Sequence, residues 1–263
     1  MTARFPLDAD LDLALRLADA AREISLARFR GPFQKRLKAD GSIVTEVDEA
    51  VEDELRERLA RERPRDAILG EERGASGDSE RRWIIDAIDG TLSFAAGKSR
   101  WATLIALEVA GEVVVSVCDD PPLDRRYWAV KGGGAFRADG AAKPKRLKVS
   151  KTRELKRARS FVPPPEWVRG DEAQAMAVAL AAATHPTPSE DHPALQVAFG
   201  GYDVAVFFMA GPWDLAAPSL VVEEAGGRFT DLSGAVTLTA GAVFSNGSVH
   251  DETVECLRAA RAP

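Results

Sequence analysis

Asp86 and Asp89 stand three positions apart at the end of the apolar run Trp83-Ile84-Ile85, and Gly90 and Thr91 follow at once. The run has the β-branched and aromatic content of a buried strand, so both acids are predicted where the backbone leaves the core. Carboxylate oxygens in such a place can hold a hard divalent cation. Magnesium is the first choice, because it takes oxygen ligands and commonly shares a substrate phosphate with one or two carboxylates. Gly90 and Thr91 extend the pattern: a helix starting there would turn its free N–H groups towards an anion.

Asp-x-x-Asp-Gly-Thr alone is equally an ordinary strand-to-turn exit, since Asp and Gly are common turn formers. Two further segments favour the metal reading. Ile68-Leu69-Gly70-Glu71-Glu72 is another short apolar run ending in acids, and Gly211-Pro212-Trp213-Asp214-Leu215-Ala216-Ala217 sets an acid at a predicted helix start.

These pieces resemble the inositol monophosphatase family of metal-dependent phosphomonoesterases. The resemblance is carried by Asp40-Gly41-Ser42-Ile43-Val44-Thr45-Glu46-Val47-Asp48, Gly70-Glu71-Glu72, Trp83 to Thr91, and Trp213 to Ala217 followed by Glu224-Ala225-Gly226-Gly227, all in the family's order. Four ordered motifs are far more specific than any one alone. Trp101 to Leu107, Arg125-Arg126-Tyr127-Trp128-Ala129 and Gly132-Gly133-Gly134-Ala135-Phe136 look most like the bacterial histidinol-phosphate phosphatase branch. The resemblance implies an α/β fold, the layered α-β-α-β-α sandwich of the inositol monophosphatase and fructose-1,6-bisphosphatase type. It further implies an N-terminal half, residues 1–145, that carries most metal ligands. A C-terminal half, residues 146–263, would close over the site.

By the same resemblance, Glu71, Asp86, Asp89, Asp214 and the backbone carbonyl of Ile88 would ligate two or three magnesium ions. Such ions polarise phosphoryl oxygens, orient the ester, stabilise the leaving alkoxide and make water a usable nucleophile near neutral pH. Thr91 and Glu71 are the candidates to orient and deprotonate that water, with Asp48 hydrogen-bonding Thr91. Asp48 also reads as a first-turn helix acid that favours the positive end of the dipole. Gly90 and Thr91 would offer N–H groups to the phosphate, and Asp89 and Asp214 would also face the substrate. Glu72 is expected outside the ligand set. Lys38 reads either as an added positive charge or as an exposed loop lysine.

The substrate wall departs from the family. An acid often stands there seven positions ahead of the Trp-Asp aspartate, where it contacts substrate hydroxyl or amino groups; this chain has Phe207. Leu92-Ser93 replaces a Lys-Asn pair common among histidinol-phosphate phosphatases, and Ala87 replaces the usual proline. A phenylalanine cannot pair with an ammonium and leaves a buried hydroxyl unsatisfied. Glu190, Asp191 and Asp203 are the candidates to compensate, and Phe207 could instead stack on an aromatic or heterocyclic leaving group.

The remaining elements position these residues. Leu11, Ala14, Leu15, Ala18 and Ala21 predict a packing helix near 8–30, and Val47, Val51, Leu55 and Leu59 predict another at 48–63, opened by a Thr45/Asp48 capping box. Strands are predicted near 67–70, 83–87, 101–109, 112–118 and 127–130, with a hairpin turn at Gly132 to Gly134. Helices are expected at 171–183, 194–200 and 214–225, and a strand at Asp203 to Phe208. Trp213 is expected to pack so as to hold the Asp214 helix. The histidines, His185, His192 and His250, show no metal-ligand spacing and read as surface or capping residues.

At 263 residues and 45% hydrophobic content the chain can bury a substantial core. Two cysteines, Cys118 and Cys256, suggest no disulfide scaffold; with no secretory leader or membrane-spanning stretch, a cytoplasmic location is expected. The formal charge of −6 argues against broad nucleic-acid binding. The basic stretch 143–159 lacks aromatic residues for base stacking and reads as a solvated linker and edge strand. The leading expectation is therefore a magnesium-dependent phosphomonoesterase acting on a small phosphorylated metabolite. Histidinol phosphate comes first, then inositol-1-phosphate or a sugar or nucleoside monophosphate. The family resemblance adds a homodimer. The rival is a non-catalytic protein of this fold that binds a phosphate ligand or nucleic acid, which four converging carboxylates disfavour because their repulsion is costly without a cation.

Overall fold

Strand Arg81–Asp89 feeds two cores at once, because successive side chains of an extended chain point to opposite faces. Trp83, Ile85 and Ala87 enter one core, and Ile84 enters the other. In this computed structural model, which describes residues 7–39, 41–164, 167–189, 191–239 and 241–261, that strand lies inside an eight-stranded sheet. The sheet runs Lys145–Arg146, Gly134–Asp139, Arg125–Val130, Glu112–Asp120, Ala102–Val109, Arg81–Asp89, Ala67–Gly70, Gly74–Ser76, and only the Ala67–Gly70 pairing with Arg81–Asp89 is parallel.

Helices α1 (Leu7–Arg28) and α2 (Glu46–Glu62) cover one face of the sheet. The contact stripe of α1 centres on Leu13 and Leu17, which are fully buried, while Leu11 and Leu15 lie at its margin. Burying a leucine is worth about 1.5–3 kcal/mol, so these two set the face that packs. On the opposite face lie the central helices α5 (Pro193–Ala198) and α6 (Pro212–Glu224), through Leu195, Val197, Leu215 and Ala216. The short α3 (Thr91–Ala95) follows the acid-bearing strand directly. Beyond the central helices is a five-stranded sheet ordered His185–Pro186, Arg159–Phe161, Val204–Phe207, Ala242–Ser245, Arg228–Thr230. Its far face packs on α4 (Asp171–Ala183) and α7 (His250–Ala259) through Met176, Leu180, Val254 and Leu257. The result is the α-β-α-β-α sandwich.

One irregularity decides where the acids go. The register of Arg81–Asp89 against Ala102–Val109 shifts between Asp86 and Asp89. Strict alternation would send Ile88 to the central layer with Asp86 and turn Asp89 to the other face. Ala87 and Ile88 instead both enter the α1/α2 core, as an extra residue in a bulge allows. Asp89 thereby stays on the side of Asp86, facing α6.

Candidate active site

Asp86, Asp89 and Asp214 each bring a carboxylate oxygen to within 4.8 Å of the others. Two come from the bulged strand end and the third from the first turn of α6. Pro212 at the start of α6 needs no helical donor, and the Asp214 carboxylate accepts the Gly211 N–H at 2.6 Å, which fixes the side chain at the helix mouth. The Ile88 N–H donates to Asp86 Oδ1 at 3.0 Å. Among the described residues, Asp86 Oδ2 is buried with no hydrogen-bond partner.

The electrostatics favour a cation here. Burial, reinforced by Glu71, Asp89 and Asp214, raises the Asp86 pKa well above the carboxylate range. Burial and the Asp89 charge push Asp214 up to about 7, and burial raises Glu71. Acids that raise one another in this way need a cation to stay ionised together near neutrality. An all-oxygen donor set with an orphaned buried carboxylate oxygen suits a hard ion such as magnesium rather than a soft one.

Glu71 lies beside the trio but outside its closest grouping. Lys38 Nζ bridges Glu71 Oε1 and Glu72 Oε1, at 2.8 Å each. Lys38 is thus an engaged counter-charge rather than a free loop lysine. Burial opposes its charge, but the two glutamates outweigh that and raise its pKa, while burial pushes Glu72 to about 7. Glu52, fully buried on α2, holds this turn by accepting the N–H groups of Glu72 and Arg73 at 2.7 and 3.0 Å. A side chain on Gly70 would strike the same carboxylate, so glycine there lets the turn close on Glu52.

Thr91 Oγ1 lies 3.0 Å from Asp48 Oδ1 and 3.1 Å from the Ile88 carbonyl, and its single proton serves one of them at a time. Asp48 Oδ2 accepts the Thr45 N–H at 2.8 Å and also bonds the Thr45 hydroxyl, so one carboxylate caps α2 and reaches Thr91. Its burial raises its pKa. Gly90 has φ +86°, and a Cβ there would sit 2.7 Å from the Arg100 carbonyl, so only glycine fits between strand and α3.

Asp89 alone of the trio lines a cavity of about 540 Å³, together with Trp101, Asp120, Phe161, His192 and Phe207. Phe207 stacks on His192 with ring centroids 6.0 Å apart, packs at 6.0 Å on Phe161, and meets Phe244 edge-on. Trp213 packs beneath α6 against Gly211.

Several expectations need correction. His192 is buried, its Nε2 lies 3.3 Å from Asp89 Oδ2, and it lines the cavity. It occupies the N-cap position of α5 but makes no side-chain capping bond. His250 is fully buried between Thr230 and Ser245, and of the three histidines only His185 is exposed. Asp203 cannot compensate for Phe207, because Ser150 and the Arg159 N–H already occupy its carboxylate. Asp191 is likewise committed, to Arg125 at 2.7 Å and Gln196 at 2.7 Å. Glu190, and Asp40 at the head of the first motif, lie outside the described residues. Asp120 was not singled out at all, because the predicted strand stopped at 118, whereas the observed one runs to Asp120.

Residues 7–261 match the Inositol monophosphatase family. The Histidinol-phosphatase of Mycobacterium tuberculosis (strain ATCC 25618 / H37Rv) is 42% identical, over 95% of this chain and 98% of that protein. That of Streptomyces coelicolor is 39% identical, over 92% of this chain and 94% of its own length. A solved inositol monophosphatase from Zymomonas mobilis superposes with a TM-score of 0.82 at 27% identity, covering 97% of this chain and 100% of its own. Matches that extend over nearly the whole chain show that it belongs to the inositol monophosphatase family and is a phosphoric monoester hydrolase.

Proposed function

We propose that the chain hydrolyses histidinol phosphate to histidinol and inorganic phosphate, with magnesium held by Asp86, Asp89, Asp214, the Ile88 carbonyl and Glu71. The observation that carries this reading is the carboxylate trio, whose member Asp89 lines a ring-walled cavity. Two or three bound magnesium ions would supply charge neutralisation on the phosphoryl oxygens and acidify a water. The protein's own groups do the rest. Thr91 Oγ1, oriented by Asp48, positions the attacking water, and Glu71 accepts its proton. Gly90 lets the backbone approach the phosphate, and Thr91 adds its N–H. The face of Phe207, backed by His192 and Phe161, stacks on a planar leaving group where relatives often place an acid. Residues 1–145 supply Glu71, Asp86 and Asp89, and residues 146–263 supply Asp214 and the ring wall.

Support for this substrate comes from the two similar histidinol-phosphatases and from the planar wall, which suits an imidazole better than a polyol. A cytoplasmic homodimer goes with the reading, and light scattering tests the dimer. Among the described residues no helix is long and apolar enough to cross a membrane. The deciding experiment measures phosphate release from histidinol phosphate, inositol-1-phosphate, sugar phosphates and nucleoside monophosphates, with magnesium and with EDTA. Histidinol phosphate should lead by at least tenfold in kcat/KM. A higher kcat/KM for inositol-1-phosphate would overturn the substrate assignment and leave the phosphatase class in place.

A further inference from the structure

Asp120 is a buried acid whose usual partners have all been removed. It ends strand Glu112–Asp120 and is only 3% exposed, yet its Oδ1 has no hydrogen-bond partner among the described residues. The sequence explains part of this. Aspartate at a strand exit normally accepts an N–H one or two residues on, but Pro121 and Pro122 have none to give. Arg125, its register partner across the ladder, is spent on Asp191 and Asp139. Asp119 takes Arg22 and Arg126. Asp120 also lines the cavity that borders Asp89, Phe207 and His192.

Leaving a buried carboxylate unpaired is costly, so such a group is retained where something outside the fold completes it. The ring wall cannot supply a charge to a substrate, and Asp191 and Asp203 are committed elsewhere. We infer that Asp120 is the specificity residue that receives an ammonium group on the leaving alcohol, in place of the acid that Phe207 displaces. The inference rests on the phosphomonoesterase reading of the site and narrows its substrates to esters of amino alcohols whose ring lies along Phe207. Burial and the neighbouring Asp191, opposed by Arg125, push the Asp120 pKa up to about 7. An ammonium arriving beside it favours the carboxylate form and closes the ion pair.

The test compares matched esters on the magnesium-loaded enzyme: histidinol phosphate against its des-amino analogue, and phenylalaninol phosphate against 3-phenylpropyl phosphate. Wild type should prefer the amine of each pair by roughly 10- to 100-fold in kcat/KM, the scale of a hydrogen bond to a charged group, and mainly through KM. In Asp120→Asn that ratio should fall to near one. Calorimetric binding of histidinol against its des-amino alcohol should show the same ratio without turnover. Loss of the unpaired charge should hold or raise the thermal midpoint, which separates lost recognition from misfolding. A wild-type enzyme indifferent to the amine, or a preference that survives Asp120→Asn, overturns the inference. Failure on histidinol phosphate with the amine preference intact on the phenyl pair overturns the proposed substrate instead.

Discussion

Asp214→Asn separates what the carboxylate trio does for the fold from what it does for a cation. The side chain keeps its size and can still accept the Gly211 N–H through its amide oxygen, so the mouth of α6 stays capped. What disappears is one negative charge within 4.8 Å of two others. At that separation each like-charge pair costs up to about 3.5 kcal/mol with an effective dielectric near 20. Burial and the neighbouring acids raise the Asp86 pKa, so this figure is an upper bound. The metal-free variant should therefore gain about 1–2 kcal/mol at pH 8, seen as a thermal midpoint raised by roughly 2–8 °C for a chain of this size. Catalysis should move the other way. Loss of a charged ligand should lower turnover by on the order of 10²-fold or more and raise the magnesium needed for half-activity at least tenfold, about 1.4 kcal/mol of cation affinity. Differential scanning calorimetry in EDTA and phosphate release against a magnesium series measure both. Wild-type activity and an unchanged magnesium midpoint would refute the joint site, and a lowered metal-free midpoint would refute the repulsion argument.

Three further outcomes follow from the same geometry. Asp214 holds its proton to about pH 7 against an ordinary value of 3.8, so the native state binds more protons than the unfolded one in that window, and metal-free stability falls as pH rises through it. His250, kept neutral down to about pH 4 by burial and Arg228, acts in the opposite sense but equally with and without metal. The gap between magnesium and EDTA melting curves should therefore widen from pH 5 to 8, and a constant gap would contradict the cluster. Thr91→Val should lower turnover about 10²-fold while Thr91→Ser keeps most of it, because only the serine retains a hydroxyl between Asp48 and Ile88; equal losses in a steady-state assay would remove the hydroxyl's role. Phe207→Glu should shift preference among esters towards polyols without moving the magnesium midpoint, and a moved midpoint would place Phe207 in the metal site.

Residue types and order made the acid-bearing ends legible. The strand at 67–70 and the helix at 171–183 were readable to the residue, because turn formers bound a short apolar run in one and an alanine-rich segment in the other. The strands Arg228–Thr230 and Ala242–Ser245 of the second sheet were passed over, although Gly241 and Asn246-Gly247 bound the latter just as turn formers bound 67–70. Glu52 reads as a surface acid on a charged helix, and only the tertiary fold reveals that it is buried under the Glu72 turn. His192 was missed for the same reason: nothing near it in sequence points to Asp89, more than a hundred positions away. Lys38 could be read either way until the fold brought both Glu71 and Glu72 within hydrogen-bond reach of its ammonium.

The bulge between Asp86 and Asp89 is the part of the site that local pattern could least reveal, and it explains why repulsion does not simply push the acids apart. Asp86 lies between Ile85, which is fixed in the α1/α2 core, and the pair Ala87 and Ile88, both sunk in that same core. The strand pairs with Ala67–Gly70 only as far as Ile85, but Asp86 and Asp89 both pair with Ala102–Val109, so that edge holds the acid-bearing backbone in place. Asp214 is held from the other side by the Gly211 N–H. With displacement blocked on both sides, the conflict appears as raised pKa values instead of as movement. Close packing is what permits this, because moving a strand end out of two cores costs more than protonating a carboxylate. A dication bound among them would remove the conflict without any shift of the backbone, because the three carboxylates already converge within 4.8 Å.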